Sequence, residues 1–311
     1  MTDSKKTYSR VGLALIAASL LILVFSRTVL VPLLLKTDIS LLLQTIGPTL
    51  ILLLTDIPNI LFLLVFWLII RKIPKSEWRK EPLAFSSMFH IFVMMYAVST
   101  AVNFIGMAIS KVSPAGGSEQ LNMIGEMVTS GLPAGILMTV VLAPVVEELI
   151  FRKLMLDRIR NHGEKTAIIF SALCFGLFHG NLTQFLYAFS VGLFLGYVYC
   201  KTGKVLYTMV MHALLNLFSS LLMLAGPMLG KGAAGILLLV VFGLMIVTMF
   251  VLGFIHLIRH LRRKDLRTDD AMLTAIPKGE IAKTVYLNPC VLLFVLFYTS
   301  EIVLNLLNIT L

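Results

Sequence analysis

Charge is what this sequence has little of: Asp, Glu, Lys and Arg make up 14% of its 311 residues. An ordinary soluble domain carries about 25% of such residues, so this composition excludes a chain built from soluble domains. Hydrophobic residues make up 58% of the chain, and its mean hydropathy is +0.94. The sequence therefore predicts a protein that crosses a membrane several times.

Cysteine and acidic residues are also scarce. The three cysteines, Cys174, Cys200 and Cys290, lie inside or at the end of apolar runs, and no Cys-x-x-Cys occurs, so neither a disulfide framework nor a cysteine zinc site is predicted. Sixteen acidic residues face 26 basic ones, which gives a net charge of +10. In a membrane protein this excess is explained by basic loops held near anionic lipid, and a nucleic-acid partner is not predicted.

Long apolar runs fill most of the chain, and at ~20 residues per span they predict an all-α, polytopic transmembrane bundle of eight or nine spans. Gly47-Pro48 and Pro58 interrupt the second run, which predicts a re-entrant or interfacial piece before its span, and 121–130 is predicted as a short interfacial helix. The predicted spans are 11–35, 58–70, 83–110, one beginning near 131, 166–180, 182–199, 205–224, 236–258 and 285–307.

Basic loops alternate with loops that are poor in Lys and Arg. By the positive-inside rule this pattern predicts a multi-pass protein of the cell membrane with a cytoplasmic N-terminus, and nine spans would put the C-terminus outside. The basic segments are the N-terminus, 71–80, 152–165, 201–204 and 259–283. We expect the segment 152–165 to be a loop that flanks the entrance of a site open to the cytosol.

Two adjacent carboxylates and an arginine end one apolar run, at Glu147, Glu148 and Arg152. Charges in hydrocarbon are costly unless they are paired, hydrated or used. Glu148 and Arg152 are spaced i, i+4 and can pair, whereas Glu147 is turned ~100° from Glu148. One carboxylate can therefore be held by the arginine while the other faces a cavity as a general base. The alternative is a structural charge cluster at the membrane edge.

Two later apolar helices carry the other polar candidates. His179 ends a Phe-x-x-x-His pattern that begins at Phe175, and His212 precedes Asn216 by one helical turn, so the latter two share a helix face. Packed histidines and an interhelical hydrogen-bond pair are the structural alternatives. Gly176-x-x-x-Gly180 and Gly192-x-x-x-Gly196 predict close packing of the fifth and sixth spans.

Taken in order, Glu147-Glu148-x-x-x-Arg152, Phe175-x-x-x-His179 and His212-x-x-x-Asn216 resemble the CPBP family of intramembrane glutamic endopeptidases, which comprises CAAX proteases and bacteriocin-processing enzymes. The resemblance covers about 132–224. It implies that Glu147 activates water with help from His179, and that His212 and Asn216 stabilise the oxyanion. It also implies that Glu148 and Arg152 shape the site and that no metal or other cofactor is needed.

The sequence thus predicts a membrane endopeptidase that acts on a peptide or lipid-associated protein. Eukaryotic relatives cut prenylated CAAX proteins, while bacterial relatives serve bacteriocin maturation, self-immunity or peptide signalling, and the compact length resembles the latter. The predicted units are N-terminal helices 1–130, a catalytic core 131–224 and C-terminal helices 225–311. Three alternatives stay open: a zinc protease using His179, His212 and a glutamate, a non-enzymatic immunity or scaffold protein, and a transporter.

Overall fold

The computed structural model describes residues 3–36, 56–76, 81–113, 135–229, 232–263 and 275–309. Every regular element within these ranges is helical, which confirms the predicted all-α bundle. The interruption at Gly47-Pro48 and the interfacial helix predicted at 121–130 lie outside the described residues. The division into three units and the membrane orientation stay predictions.

Eleven α-helical segments are numbered here in chain order within the described ranges. They are α1 Asp3–Phe25, α2 Val31–Lys36, α3 Ile57–Ile70, α4 Phe85–Lys111, α5 Ala143–Glu148, α6 Asp157–Ile159, α7 Glu164–Leu177, α8 Leu182–Thr202, α9 Val205–Leu229, α10 Gly232–Arg263 and α11 Pro289–Leu306. A π-helical turn, Ser26–Leu30, joins α1 to α2.

Five stretches of the described helices are long and apolar enough to cross a membrane. They are Asp3–Leu33, Phe85–Lys111, Leu182–Thr202, Leu239–Arg263 and Pro289–Leu306. Ile57–Ile70 and Val205–Leu221 are shorter apolar stretches. The polytopic bundle is thus confirmed, while the total of eight or nine spans stays a prediction because 37–55 and 114–134 are not described.

The helices pack in two groups that meet at the motif residues. Helix α1 contacts α3 and α11, while α8 packs between α4 and α7, and α10 covers α4. Helix α10 leaves much of its apolar surface uncovered, as a lipid-facing helix does. Its exposed side chains include Leu237, Val240, Leu244, Val247 and Val251.

Three of the four predicted small-residue positions lie at close approaches. A Cβ on Gly176 would meet the Phe185 carbonyl at 2.9 Å, and one on Gly192 would meet Ala172 at 3.0 Å. Gly196 lies near the Ile168 side chain in the same α7–α8 contact. The prediction for Gly180 was wrong: it has φ +65° in the turn between α7 and α8, where a Cβ would be strained.

The segment 152–165 is not the exposed loop that its basic charge predicted. Helical structure continues through it to His162, and Asp157 and Glu164 are almost completely buried. Asp157 accepts from Tyr199 Oη at 2.6 Å and pairs with Lys153 Nζ at 2.9 Å. Basic residues of this segment therefore neutralise buried carboxylates. The charge pattern of the sequence alone could not distinguish such a packed helical segment from a solvated loop.

Gly253 of α10 tests the packing of that helix on α4. A Cβ at Gly253 would overlap the Val93 carbonyl and the Ala97 Cβ, whereas one at Gly243 meets nothing within 4 Å. Gly253→Ala is therefore expected to cost about 1–3 kcal/mol through overpacking. Gly243→Ala is the matched control and should gain about 0.5–1 kcal/mol of helix propensity. Thermal unfolding in detergent measures both, and equal melting temperatures would contradict the α4–α10 packing.

Candidate active site

The glutamates lie on a continuous helical segment, 135–162, which we call the motif helix. Its α-helical piece Ala143–Glu148 is flanked by π-helical pieces, Leu137–Leu142 and Leu149–Leu156. The first piece follows from Pro144, which has no N–H to donate into the helix. The Ala143 N–H instead reaches back five residues to Met138 O. The helix is therefore widened immediately before the two carboxylates.

Pro144 also explains why Asn216 docks where it does. Thr139 O would accept from residue 143 in an α-helix or from residue 144 in a π-helix. The Ala143 N–H is directed to Met138 O, and Pro144 has none. Asn216 Nδ2 donates to Thr139 O at 2.8 Å and so satisfies this carbonyl from α9.

The second π-helical piece is tied to α7 in a similar way. Ser171 is fully buried, and its hydroxyl donates to Phe151 O at 2.8 Å. The Phe151 ring packs edge-to-face on Phe175, with centroids 5.2 Å apart. Helices α7 and α9 thus hold the motif helix from two sides, and the carboxylates lie between these anchors.

Glu148 and Arg152 form the predicted i, i+4 ion pair. Arg152 Nε is 3.2 Å from Glu148 Oε2, and both side chains are fully buried. The guanidinium carbon lies 4.8 Å from the centroid of the Phe175 ring, within range of a cation–π interaction. Because a buried ion is costly unless it is paired, this pair is expected to fix Glu148 in one position.

His212 bridges the two glutamates. Its Nδ1 is 3.1 Å from Glu148 Oε1, and its Nε2 is 3.6 Å from Glu147 Oε2. An ionised carboxylate only accepts hydrogen bonds, so Nδ1 carries a hydrogen and donates it to Glu148. The order of contacts is therefore Arg152, Glu148, His212 and Glu147, with the two fully buried groups at one end and the partly exposed Glu147 at the other.

Glu147 is the more accessible carboxylate. Its side chain retains 17% exposure, whereas that of Glu148 has none. The pair with His212 is long at 3.6 Å, which leaves hydrogen-bonding capacity at the carboxylate. The two glutamates therefore occupy different environments, while their predicted difference in role stays a prediction.

His179 is joined to the same cluster through Phe175. Its ring and that of His212 contact Phe175 edge-to-face, with centroid distances of 5.1 and 5.7 Å. His179 Nδ1 lies 2.9 Å from Phe175 O. A carbonyl oxygen only accepts, so Nδ1 carries the hydrogen and Nε2 of a neutral ring keeps a lone pair. Glu147, Glu148, Arg152 and His212 meet directly, while His179 is linked to them through the Phe175 ring.

Three supporting residues were missed from the sequence: Phe175 as a shared ring, Thr139 as a carbonyl acceptor, and Thr208. Thr208 is fully buried one turn before His212, beside the Glu148 carboxylate. The i, i+4 spacing of Thr208 and His212 was a signal that could have found it. The position of Thr139 follows from Pro144, but only once the path of α9 is known.

The zinc alternative requires at least three donor side chains that converge on one point. Within the part of the chain that the structure describes, no three His, Cys, Asp or Glu side chains are arranged to hold a metal ion. His212 directs its two ring nitrogens to different carboxylates, and His179 Nδ1 is directed to the Phe175 carbonyl. The residues proposed as zinc ligands therefore do not fit that group in this arrangement.

A double variant tests the anchoring of the motif helix by Asn216. Asn216→Ala should leave the Thr139 carbonyl unsatisfied and cost about 1–3 kcal/mol of stability. Pro144→Ala supplies a backbone N–H that can take over, so Asn216→Ala should cost less in the Pro144→Ala background than alone. Thermal unfolding of the four proteins measures the coupling, and strictly additive losses would contradict this account.

Comparison with known proteins supports the motif assignment. Residues 129–218 match the family described as Rce1-like, type II CAAX prenyl endopeptidase. The chain is also similar to "Putative membrane peptidase YdiL" of Bacillus subtilis (strain 168), with 25% identity over 168 residues. That alignment covers 50% of this chain and 65% of the relative, which is less than two thirds of its length. No solved structure matches. All six motif residues lie within 129–218, and this match agrees with the predicted resemblance to the CPBP family.

Proposed function

We propose that the protein is an intramembrane endopeptidase that uses Glu147 as the base that activates water. The observation that carries this proposal is the contrast between the two neighbouring glutamates. Glu148 is fully buried and paired with Arg152, so it is unsuited to exchange a proton with water. Glu147 is partly exposed, and its contact with His212 is long at 3.6 Å. Its carboxylate can therefore accept a proton from a bound water.

One carboxylate, that of Glu147, can carry out both proton transfers that peptide hydrolysis requires. Glu147 takes a proton from water, and the resulting hydroxide attacks the carbonyl carbon of the substrate peptide bond. The carbonyl π bond opens, and its oxygen carries the negative charge of the tetrahedral intermediate. When the C–N bond breaks, the protonated Glu147 returns its proton to the leaving amine. His179 Nε2 is an acceptor in the neutral ring and can orient the same water.

The oxyanion needs donors close to the carbonyl oxygen. His212 Nε2 is the candidate donor from α9 in the imidazolium form of the ring, in which Nδ1 donates to Glu148 and Nε2 also carries a hydrogen that the long contact with Glu147 leaves available. Asn216 uses one amide hydrogen on Thr139 O and keeps a second one. The family resemblance assigns both residues to this role, and the hydrogen-bond inventory is compatible with it.

Glu148 and Arg152 are assigned to positioning rather than to proton transfer. Arg152 holds Glu148, and Glu148 holds the Nδ1 face of His212. This order fixes the ring so that Nε2 is directed towards Glu147. The proposed substrate class is a membrane-associated peptide or protein, with bacteriocin maturation, signal-peptide maturation and self-immunity as candidate roles.

The test is a comparison of membranes that contain the wild-type chain with membranes that contain Glu147→Gln. New peptide termini, measured by mass spectrometry, should be present with the wild-type chain and absent with the variant. Glu280→Gln is the matched control because Glu280 is an exposed carboxylate outside the site. Identical termini in all three would contradict the enzyme and favour a binding protein. Loss of cleavage with a chelator and its return with zinc would contradict the metal-free mechanism.

A further inference from the structure

A second set of polar side chains lines a cavity at one end of the bundle. The cavity measures about 200 Å³ and lies between the start of α4 and the ends of α8 and α10. Its polar lining includes Ser87, His90, Tyr197, Lys201 and His260. None of these belongs to the glutamate site or to its supporting residues, so the proposed proteolysis leaves the cavity unexplained.

Histidines concentrate at this cavity. His90 of α4 stacks on His256 of α10, with ring centroids 4.1 Å apart and an interplanar angle of 26°. His256 and His260 are spaced i, i+4, so both face the cavity side of α10. Three of the six histidines of the chain, His90, His256 and His260, therefore gather at this one corner. Imidazole N–H groups are donors, so the corner is suited to an acceptor ligand.

The charges around the cavity are mainly positive. Lys201 Nζ lies 3.5 Å from Glu164 Oε1, but Glu164 already pairs with Arg160 at 3.0 Å, so two cations share one carboxylate. The last turn of α10 adds basic residues, and the segment 255–263 contains no acidic residue. These exposed residues are Arg259, Arg262 and Arg263. The ligand that this field favours is an anion.

Apolar surface adjoins the cationic lining. Leu83, Ile91 and Val198 complete the cavity wall. Outside it, Ile258 and Leu261 of α10 are 48% and 61% exposed, on the helix surface that is expected to meet lipid. A ligand with an anionic head and hydrocarbon chains can contact both surfaces at once, whereas a small soluble anion can use only the first.

We propose that this cavity binds the phosphate group of an anionic phospholipid, with the acyl chains along α10. Lys201, His90 and His260 would donate to the phosphate oxygens, and Ser87 would add a hydroxyl. A basic pocket between transmembrane helices is a setting in which lipid headgroups bind. The start of α4, which has no side-chain cap, adds backbone N–H groups on the same side. This inference does not depend on the proposed proteolysis.

The experiment uses the full chain purified in detergent, with thermal unfolding followed as lipid is added. Phosphatidylglycerol should raise the melting temperature in a saturable way, whereas phosphatidylcholine and inorganic phosphate should not. Lys201→Met should raise the half-saturating concentration of phosphatidylglycerol about tenfold, because a hydrogen bond to a charged group is lost. His90→Gln with His260→Gln is a second variant that leaves the Lys201–Glu164 pair intact.

Arg263→Gln is the matched control because it removes a full charge at the exposed end of α10, outside the cavity lining. It should change the half-saturating level by no more than about twofold. An equal loss of phosphatidylglycerol affinity in Arg263→Gln and Lys201→Met would show that the lipid is held by diffuse surface attraction and not by the cavity, which would overturn the proposal. If inorganic phosphate raised the melting temperature with the same half-saturating concentration, the ligand would be free phosphate and not a phospholipid.

Discussion

Glu147→Gln is expected to lower the rate of peptide cleavage by about a hundredfold or more while leaving the fold unchanged. The amide has nearly the size of the carboxylate but cannot take a proton from water. Its amide can still form a hydrogen bond with His212 Nε2, the ring nitrogen that lies 3.6 Å from Glu147 in the wild-type protein, because the NH2 group donates to a bare ring nitrogen and the oxygen accepts from a protonated one. The melting temperature in detergent should therefore stay near that of the wild-type chain, and the measurement is the initial rate on a substrate identified by its new termini.

Two comparisons make the Glu147 result specific. Glu147→Asp keeps the acid but withdraws it by one methylene, so it should retain more activity than Glu147→Gln although less than the wild type. Glu280→Gln should retain full activity because Glu280 is exposed and outside the site. If Glu147→Gln kept more than a few per cent of the wild-type rate, the base would have to be another residue.

Much of the helical bundle could be predicted because long apolar runs give both helix type and approximate limits. Predicted spans such as 83–110 and 182–199 lie within three residues of helices Phe85–Lys111 and Leu182–Thr202. The Glu148–Arg152 pair could be predicted for a similar reason, since its i, i+4 spacing is local. Local periodicity was sufficient wherever both partners belong to one helix.

Contacts between helices could not be predicted in the same way. The sequence does not show that His212 lies between Glu147 and Glu148, or that the His179 and His212 rings both contact Phe175. These placements depend on how α7 and α9 pack on the motif helix, and that packing depends on tertiary contacts far apart in the chain. The π-helical pieces have the same origin, because Pro144 predicts an interrupted hydrogen bond but not the side chain that replaces it.

The 152–165 error has a particular physical cause. Basic residues within a short segment usually indicate a solvated loop, but Arg158 donates from Nε to Ile70 O at 2.9 Å and from Nη1 to Leu154 O at 2.8 Å. Arg160 pairs with the buried Glu164. These cations donate to backbone carbonyls and neutralise a buried carboxylate, so they stabilise the packing of the protein interior. The predicted loop is thus a packed helical segment, and its place beside the entrance of the site stays a prediction.

Arg152→Ala is expected to lower stability by about 3–5 kcal/mol, because it leaves the fully buried Glu148 without its cation. The loss should be visible as a lower melting temperature and a lower yield of folded protein. Cleavage should fall as well, since Glu148 holds Nδ1 of His212 and a displaced Glu148 would release that ring. Arg152→Lys should be intermediate because a cation remains but its planar fork is lost.

A double variant separates support from chemistry at this position. In Glu148→Gln with Arg152→Met, neither buried charge remains, and the glutamine oxygen can still accept from His212 Nδ1. Replacing both members of a buried pair avoids the cost of an uncompensated charge, so the melting temperature should return towards the wild-type value. Part of the activity should return with it, because on this account Arg152 acts only by holding Glu148. A double variant that melts like the wild-type chain but has no turnover would contradict the positioning role and assign Glu148 or Arg152 to the chemical step itself.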